Sequence, residues 1–454
     1  MTNQSSPVGI LGGGISGLST AYALAQKGIQ ATVYEQQDEV GGAIKSIGKD
    51  GWLIEEGPNT LMVKSQSVWD LLDEIDLRDQ VVEANDIAKK RFVVKDGYPV
   101  ALPTSAGSFL SSPLLTVGAK FRLLKEPFVA PSVQQDESIA RFITRRLGQQ
   151  PLDYGLNPFV SGIYAGDPKE LSVKHTFSTL WHMEQKHGSI TKGFFKRDKS
   201  KTKAKRALVS FEKGNQMLPK ALAQTLSAPV QTSSTITSVK QADSSWLVAG
   251  VSQEQSFENE HQCIISTLPA YSLPTIFGSR LFGELSELPY APLSVLALGF
   301  KSDQIQHSLD GFGMLIPEVE GYNTLGALFS STLFPGRAPE GHKLLTCFIG
   351  GDRNPEIASK PKEKLQSIVL DELSNLLNIS GKPVFLHHNF WEHAIPQYKV
   401  GYDHYLSLMK EIEKQHTGLY LGGNYRGGVS VPDCISSGFE TAQKAHAFLK
   451  SDEH

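Results

Sequence analysis

The segment that most constrains the fold lies close to the N-terminus, where a short apolar run is followed at once by glycines. Residues 8–11 (VGIL) have the character of a buried strand, and Gly12, Gly14 and Gly17 follow in the spacing GxGxxG. Residues 18–28 then carry apolar side chains at helical spacing, and the strand-like ATVYE after them ends in Glu35. A strand, a glycine turn, a helix and a second strand ending in an acid predict a dinucleotide-binding βαβ unit.

Each residue of this pattern has its own physical role. Gly12 permits a tight turn, Gly14 lets the backbone approach a pyrophosphate, and Gly17 lets the helix pack against the strand. Free N–H groups and the dipole at the helix start stabilise phosphates. Glu35 is placed to accept hydrogen bonds from the adenosine ribose, and its charge repels a 2′-phosphate, which disfavours NADP. The alternative interpretation is a glycine turn that binds no ligand.

Two further glycine-rich segments favour FAD over NAD as the dinucleotide. Gly41 and Gly42 follow Glu35 closely, and such a pair lets the backbone pass near the pyrophosphate and flavin in proteins of the glutathione reductase type. Near the C-terminus, LYLGGNYRGGVSVPD places glycine pairs after a strand, and Pro432 stands where a helix could begin. A helix start there would direct its positive dipole at the flavin ring. The sequence therefore predicts a flavoprotein fold split along the chain, although Gly41 and Gly42 alone would also suit an ordinary turn.

Length and composition bound the rest of the molecule. At 454 residues the chain is too long for one core, because single cores stop growing at roughly 250–300 residues. A net charge of −3 gives no basic field that would collect nucleic acid, so no nucleic-acid partner is expected. Cys263, Cys347 and Cys434 lie far apart without metal-ligand spacing, which predicts reduced, mostly buried thiols and no metal site. The first apolar segment lacks the pattern of a secretory signal, and no run reaches the ~20 apolar residues of a membrane span, which together predict a cytoplasmic protein.

Local patterns predict several elements outside the nucleotide-binding unit. Helical spacing is expected at 66–82 and at 361–378. A hairpin with an Asp96-Gly97 turn is expected after Arg91, and a strand, a glycine turn and a helix close the chain. The basic run at 192–206 is interpreted as an exposed loop.

The segment at 107–130 has two interpretations. It is rich in Leu and Phe and is interrupted by Pro113 and by basic side chains. It forms either a set of short core helices or a surface that inserts into lipid headgroups, with Lys120, Arg122 and Lys125 facing anionic lipid. The pattern alone leaves both interpretations open.

Four further segments carry a family resemblance that extends over nearly the whole chain. They are PFVSGIYAGDPKELSVKHTF at 158–177, SFEKGNQMLPKAL at 210–222, LDGFGMLIP at 309–317 and TLGALFSSTLFPGRAPEGHKLLTCFIGG at 324–351. With the flavin segments, they resemble the oxygen-dependent protoporphyrinogen and coproporphyrinogen oxidases, within the wider amine oxidase and phytoene desaturase superfamily. Amine oxidases and carotenoid desaturases do not share the last of these segments.

The resemblance implies roles for particular residues. Arg91 would hold a propionate of the porphyrinogen through two hydrogen bonds. Leu315, Leu328 and Phe348 would clamp the macrocycle, and the backbone carbonyl of Gly162 would face the pyrrole N–H groups. Ala43 departs from the family, which often has arginine or lysine there. The residues expected at the cofactor are Gly12, Gly14, Ile15, Ser16, Gly17, Glu35, Gly41, Gly42, Gly57, Pro58, Val230, Gly423, Asn424, Val429, Ser430 and Val431.

The implied fold is α/β, with an α+β arrangement overall. A Rossmann-type FAD-binding domain of the glutathione reductase type would be formed by 1–90, 206–280 and 401–454. Interleaved with it would be a helical domain at 91–205, which binds membrane and substrate, and a substrate-binding sheet domain at 281–400. The family's membrane-binding region corresponds to about 92–204.

The implied activity is the FAD-dependent oxidation of protoporphyrinogen IX to protoporphyrin IX by O2, in three two-electron steps that produce H2O2, within heme biosynthesis. No catalytic residue is nominated, because the reaction gains an aromatic ring and needs little acid or base assistance. Oxidation of coproporphyrinogen III is the alternative, followed by a flavin amine oxidase and by a flavin-binding protein without catalysis. The expected partners are the porphyrinogen, O2 and a membrane surface contacted peripherally; a homodimer stays open.

Overall fold

The computed structural model describes residues 6–196, 204–278 and 280–451, and within them the chain alternates between strands and helices. The strands are β1 Val8–Leu11, β2 Ala31–Tyr34, β3 Ser46–Lys49, β4 Trp52–Glu55, β5 Leu61–Val63, β6 Val81–Glu83, β7 Phe92–Lys95, β8 Tyr98–Ala101, β9 Ala207–Phe211, β10 Ser234–Gln241, β11 Trp246–Ser252, β12 Gln255–His261, β13 Cys263–Ser266, β14 Tyr290–Lys301, β15 Gly313–Leu315, β16 Thr324–Leu328, β17 His342–Gly350, β18 Phe385–Pro396 and β19 Leu419–Leu421. The helices are α1 Ile15–Ala25, α2 Gln66–Glu74, α3 Ala106–Ser111, α4 Val117–Leu123, α5 Ile139–Arg146, α6 Gln149–Pro151, α7 Asn157–Tyr164, α8 Val173–Thr176, α9 Ser178–His187, α10 Ile190–Lys196, α11 Met217–Thr225, α12 Leu273–Phe277, α13 Arg280–Ser286, α14 Ser330–Leu333, α15 Pro355–Ala358, α16 Lys362–Leu377, α17 Asp403–Gln415 and α18 Val431–Ser451.

A parallel sheet brings together segments that are hundreds of residues apart. Its order is β19-β13-β1-β2, and β1 pairs in register with both β2 and β13. Helix α1 packs on α18 so closely that a Cβ added at Gly438 would lie 2.8 Å from the Ser16 carbonyl oxygen. The predicted βαβ unit and its completion by the C-terminal strand and helix are confirmed.

A second, mostly antiparallel sheet forms the other large body, with the order β18-β14-β17-β16-β15-β7-β8. Helix α16, expected from the spacing at 361–378, covers one face through buried Leu365, Val369 and Leu373. Asp96 and Gly97 have φ of 53° and 77° between β7 and β8, as the predicted hairpin turn requires. Because β7 pairs with β15, the hairpin at 92–101 belongs to this sheet and not to the helices that follow it. The division of the chain into domains stays a proposal, and this pairing favours moving its boundary from 91 to the end of β8.

The hairpin β3–β4 connects the two sheets. Trp52 of β4 stacks on Phe385 of β18 with a centroid separation of 4.9 Å. A Cβ at Gly299 of β14 would lie 2.3 Å from the Trp52 ring, so only glycine allows this approach. The β3–β4 hairpin, which follows the Gly41-Gly42 segment, is therefore packed directly on the second sheet.

Helices α3 to α10 form a layer that is held together by buried charges. The guanidinium of Arg146 is fully buried, donates to the Glu126 carboxylate at 3.0 Å, and also contacts Glu184. Glu126 additionally accepts hydrogen bonds from Ser189 Oγ at 2.6 Å and from the backbone N–H of Ile190 at 2.9 Å. This network ties the turn after α4 to α5, α9 and α10.

The interpretation of 107–130 as core helices is wrong for half of the eight Leu and Phe side chains in that segment. Leu114 is buried, but Leu110, Phe121, Leu124 and Phe128 are between 64% and 88% exposed. We call these four residues the apolar patch. They lie on the short helices α3 and α4 and on the turn after α4, which have too little apolar surface of their own to enclose them.

The basic side chains beside the apolar patch have a different role from the expected one. Lys120 Nζ donates to the carbonyl oxygens of Leu110 at 2.7 Å and Ser112 at 2.8 Å. Arg122 donates from its two terminal nitrogens to the carbonyl oxygens of residues 145 and 146, at 2.8 Å and 3.2 Å. These cations therefore secure the ends of α3 and α5, whereas Lys125 is exposed.

Three further expectations concern single segments. The cysteines at 263, 347 and 434 are buried free thiols, as predicted. The expected loop at 192–206 is wrong for 192–196, which continue α10, and its residues 197–203 lie outside the described chain. Across 6–196, 204–278 and 280–451, no helix is both long and apolar enough to cross a bilayer.

Replacing Arg146 by Met is expected to lower the free energy of unfolding by about 3–5 kcal/mol, because Glu126 and Glu184 would lose a buried counter-charge. Urea unfolding followed by tryptophan fluorescence measures this loss. The control is Arg280→Met, whose side chain is 92% exposed and whose effect should stay within about 0.5 kcal/mol. Equal unfolding midpoints for wild type and Arg146→Met would contradict the role given to the network.

Candidate active site

Two glycine segments lie side by side where the parallel sheet ends. Gly12 has a φ of 102°, and a Cβ at Gly17 would lie 2.0 Å from the Gly12 carbonyl oxygen. The N–H of Gly41 donates to the Gly13 carbonyl at 2.9 Å, and Gly41 bridges Gly14. The GxGxxG segment and the Gly41-Gly42 segment, which are separate in the sequence, thus form one backbone surface.

The space at the start of α1 suits an anionic ligand. A Cβ at Gly14 would meet only the Gly42 Cα, at 4.0 Å. No side chain caps this helix start and no acidic residue lies in its first turn. Its N–H groups, including those of Ile15 and Ser16, are the ones that a helix leaves without partners. The residues present therefore fit the pyrophosphate of a dinucleotide.

Glu35 lies at the glycine turn, at the end of β2. Its Oε2 accepts from the Gly13 N–H and its Oε1 from the Gln37 N–H, each at 2.8 Å. Beside it, the N–H of Gln231 donates to the Val33 carbonyl at 2.8 Å, which brings Val230 to the same edge of the sheet. The carboxylate is thus held by the backbone where the ribose is expected, and the contact of Glu35 and Val230 with the ligand stays a prediction.

The turn at Gly57-Pro58 is held from several sides. A Cβ at Gly57 would lie 1.9 Å from the Ala43 carbonyl oxygen, so this turn and the Gly41-Gly42 segment touch through their backbones. Asn59 Nδ2 donates to the Gly57 carbonyl at 2.9 Å, and Asn215 Nδ2 donates to the Pro58 carbonyl at 2.7 Å.

Strand β18 of the second sheet contacts the same turn. Trp391 Nε1 donates to the Glu56 carbonyl at 2.7 Å, and His387 Nε2 lies 2.8 Å from a Glu56 carboxylate oxygen. The expected cofactor turn is therefore shared between the two large sheets.

The C-terminal segment approaches the same place. Gly423 has a φ of 115°, and the hydroxyl of Tyr398 donates to the Asn424 carbonyl. Val429, Ser430 and Val431 lead into α18, whose first turn is capped by Ser430 Oγ accepting from the Asp433 N–H at 3.3 Å. Part of the positive end of α18 is therefore already compensated by the chain, and the expected effect of its dipole on a flavin stays a prediction.

The apolar residues expected at the substrate lie on one face of the second sheet. Leu315 of β15 pairs with Gly326 of β16, and Gly326 pairs with Phe348 of β17. Leu328 is two residues beyond Gly326 and so points to the same face. Leu315, Leu328 and Phe348 are half-buried. The residues that alternate with them are fully buried on the opposite face, and these are Met314, Ala327 and Cys347.

Gly162 and Arg91 lie at this face from two directions. A Cβ at Gly162 of α7 would come within 2.8 Å of Leu315 Cδ2, so a side chain there would displace the leucine. The Arg91 guanidinium stacks over the Phe312 ring at 4.9 Å, and Phe312 packs in the same cluster as Leu328. Among the described residues, no carboxylate lies within 4 Å of that guanidinium. The structure thus brings all five expected substrate residues to one region, and their contacts with a substrate stay a prediction.

Four residues that hold these segments in place were not predicted from the sequence. Phe312, Asn215, Trp391 and His387 were not singled out, although the first two lie inside segments that carried the family resemblance. No local pattern marks Trp391 or His387, since their partner Glu56 is more than three hundred residues away in the chain.

Comparison with known sequences identifies the relatives. A family model described as flavin containing amine oxidoreductase matches residues 15–446. Protoporphyrinogen oxidase 2 of Arabidopsis thaliana is 35% identical, with 98% of this chain and 94% of the relative covered. Coproporphyrinogen III oxidase of Bacillus subtilis is 27% identical, with 99% and 100% covered.

Solved structures share the fold. A crystal structure from Exiguobacterium sp., described provisionally as a protoporphyrinogen oxidase, superposes with a TM-score of 0.83 at 22% identity and covers 98% of this chain and 99% of that one. Reduced UDP-galactopyranose mutase superposes with a TM-score of 0.75 at 16% identity, with 98% and 96% covered.

Gly14→Ala tests the cofactor space directly. The added methyl group meets nothing closer than 4.0 Å within the protein, so the free energy of unfolding of the apoprotein should change by no more than about 1 kcal/mol. The purified variant should nevertheless retain far less FAD, because the methyl group enters the space of the pyrophosphate. The ratio of flavin to protein absorbance measures this. Gly48→Ala is the matched control, because a Cβ there also meets nothing within 4 Å but lies in β3, away from the start of α1. Full FAD content in Gly14→Ala would exclude the assigned site.

The geometry and the comparisons agree. A pyrophosphate-sized space at the start of α1 lies between two glycine segments, and the parallel sheet beneath it is completed by the C-terminal strand. The family model, which matches residues 15–446, covers α1, the second glycine segment, strands β2, β13 and β19 of the parallel sheet, and the second sheet. The chain is an FAD-dependent oxidoreductase that belongs to the flavin containing amine oxidoreductase family, and within it to the group of the protoporphyrinogen oxidases.

Proposed function

We propose that the protein oxidises protoporphyrinogen IX to protoporphyrin IX with O2, in three two-electron steps that each yield H2O2. One observation carries the proposal. An apolar, half-open sheet face carries Leu315, Leu328 and Phe348, and Leu328 lines one small cavity together with Glu55 and Asn59, which flank the Gly57-Pro58 turn. Arg91 stands at the edge of this face without a carboxylate partner among the described residues. A largely apolar tetrapyrrole with acidic propionate substituents matches such a face. The names of the relatives support the same substrate class.

The residues of the chain orient the substrate and exclude water. FAD held at the glycine segments would supply the hydride acceptor, with O2 as the final oxidant. Leu315, Leu328 and Phe348 hold the macrocycle on the sheet face, and the small Gly162 leaves room for the Leu315 side chain. Arg91 sets the orientation by pairing with a propionate. No residue is assigned as an acid or a base, because formation of the aromatic ring drives the reaction.

The charges around Arg91 favour protoporphyrinogen over coproporphyrinogen. Coproporphyrinogen carries four propionates instead of two and calls for more free cations. The lysines next to Arg91 are already paired, Lys89 with Asp86 at 2.7 Å and Lys90 with Asp310 at 2.6 Å. The higher identity to protoporphyrinogen oxidases supports the same choice.

The amine oxidase alternative has less support. Amine oxidases often attach the flavin covalently to a cysteine, and Cys434 is the cysteine close to the C-terminal cofactor segment. Burial raises the pKa of the Cys434 thiol to about 12, which disfavours the thiolate. Flavin should therefore be released when the protein is denatured.

Aerobic turnover with protoporphyrinogen and coproporphyrinogen, followed by porphyrin fluorescence, tests the proposal. Faster porphyrin formation from protoporphyrinogen is expected. A preference for coproporphyrinogen would assign the protein to the other substrate, and bound FAD without either activity would reject the proposed function.

Arg91→Ala should raise KM for protoporphyrinogen by roughly 10- to 100-fold, since a hydrogen bond to a charged group contributes about 1.5–3 kcal/mol. FAD content should not change, because Arg91 contacts Phe312 and no cofactor segment. Steady-state kinetics and flavin absorbance measure both quantities. The control is Lys89→Ala, whose side chain is 81% exposed, and equal KM values for the two variants would remove Arg91 from the site.

Peripheral contact with a membrane is the second part of the proposal. The apolar patch exposes four large side chains on neighbouring short helices and the turn after them, which suits insertion into the boundary of a bilayer. Because Lys120 and Arg122 donate to backbone carbonyls, binding is expected to depend more on apolar insertion than on anionic lipid.

Flotation with liposomes measures this contact. Wild type should float with both neutral and anionic vesicles, with little loss in salt, whereas the triple variant Phe121→Ser, Leu124→Ser and Phe128→Ser should stay with the unbound protein. Val384→Ser, which removes an aliphatic side chain that is 50% exposed beside β18, should float like wild type. Absence of wild-type flotation at every salt concentration would reject membrane contact.

A further inference from the structure

Two of the segments that carry the family resemblance meet at Arg337, a buried arginine that has no part in the proposed binding of cofactor or substrate. Arg337 lies in the segment at 324–351, and its side chain is only 3% exposed. Its Nη1 donates to Glu55 Oε1 at 2.8 Å, and its Nη2 donates to the hydroxyl of Ser210 in the segment at 210–222. Arg337 lies in the loop that connects α14 to β17 of the second sheet, whereas its partners lie on β4 and β9 on the cofactor side.

A short series of hydrogen bonds connects these partners to the cofactor turn. Glu55 Oε1 also accepts from the Asn215 N–H at 3.0 Å, and Ser210 Oγ donates to Asn215 Oδ1 at 2.7 Å. The amide of Asn215 then donates to the Pro58 carbonyl at 2.7 Å. Asn215 is fully buried, so no water competes for these bonds. The orientation of Pro58 therefore depends on an amide that Arg337 and Glu55 hold in place.

The same ion pair borders the substrate face. A cavity of about 10 Å³, close to the size of one water molecule, is lined by Glu55, Arg337, Leu328, Thr346 and Asn59, among other residues. Leu328 thus has the ion pair on one side and the expected substrate on the other. Burial raises the pKa of the Glu55 carboxyl, and the Arg337 charge and the hydrogen bonds oppose that rise.

We propose that Arg337 is a positioning residue that sets the separation between the Gly57-Pro58 turn and the Leu328 side of the substrate face. The inference rests on the proposed function, because the two surfaces correspond to the cofactor and the porphyrinogen. A buried ion pair is suited to this task because its geometry is narrowly defined, whereas apolar contacts can slide. Arg337 contacts neither FAD nor the porphyrinogen, so it acts on the reaction only through Glu55, Ser210 and Asn215.

Kinetics of the FAD-loaded Arg337→Met variant test the proposal. The kcat is expected to fall by about 10- to 100-fold, the range associated with misplacement of reacting groups by about 1 Å, while bound FAD remains. The visible circular dichroism of the flavin should change, because the turn beside it moves. Arg337→Lys should recover part of kcat, since it keeps the charge but not the two-pronged geometry.

The matched control is Arg146→Met, which also removes a buried arginine from carboxylates but lies in the helical layer. Below its unfolding temperature it should keep wild-type kcat and flavin circular dichroism. If Arg337→Met does not fold, the double variant Arg337→Met with Glu55→Gln, which leaves no unpaired buried charge, is measured instead, with the same expected fall in kcat.

The outcomes separate this inference from the proposed function. Wild type without porphyrinogen turnover would reject the function, and the flavin circular dichroism of Arg337→Met would then decide the inference alone. Wild-type kcat and circular dichroism in Arg337→Met, or in the double variant if that is the one that folds, would overturn the positioning role. A loss of stability with unchanged kcat, as in the control, would leave Arg337 a structural residue and overturn the role equally.

Discussion

The parallel pairing of β1 with β13 is the interaction on which the rest of the structure depends. Parallel strands cannot be joined by a tight turn, so the chain must leave the sheet and return before β13 and again before β19. The two excursions form the helical layer and the antiparallel sheet. Their return brings α18 beside α1, which completes the cofactor side only after nearly the whole chain has been used.

Close backbone approach then determines how the cofactor segments pack together and how the β3–β4 hairpin packs on the second sheet. Gly17 against the Gly12 carbonyl, Gly57 against the Ala43 carbonyl and Gly299 beneath the Trp52 ring all place atoms where a Cβ would collide. These contacts bring the cofactor turn within reach of β18, and polar groups finish the connection through Glu55 and Glu56. The proposed site is thus formed at an interface that apolar packing brings together and that buried hydrogen bonds orient.

In the helical layer, charged side chains are buried and large apolar side chains are exposed. Its strongest ion pairs are buried, whereas the apolar patch outside them is exposed. Exposure of large apolar side chains is unfavourable in water, and the buried network connects the turn after α4 to α5, α9 and α10 while Phe121, Leu124 and Phe128 stay exposed. A surface of this kind is consistent with contact with a lipid boundary, for which cations at the rim are not required.

The sequence by itself determined the nucleotide-binding unit, the hairpin at Asp96-Gly97, helix α16 and the C-terminal strand and helix, because each depends on local spacing or on the conformational freedom of glycine. It also supplied the family resemblance, from which the expected roles of Arg91, Leu315, Leu328 and Phe348 came. Only the tertiary structure decided that Phe121 and Phe128 are exposed, that Lys120 and Arg122 bind carbonyls, and that Arg337 pairs with Glu55. This is because the periodicity of apolar residues in a segment reports only the helix or strand that the segment forms. The contacts of a side chain depend in addition on strand pairing and on packing between segments that are hundreds of residues apart.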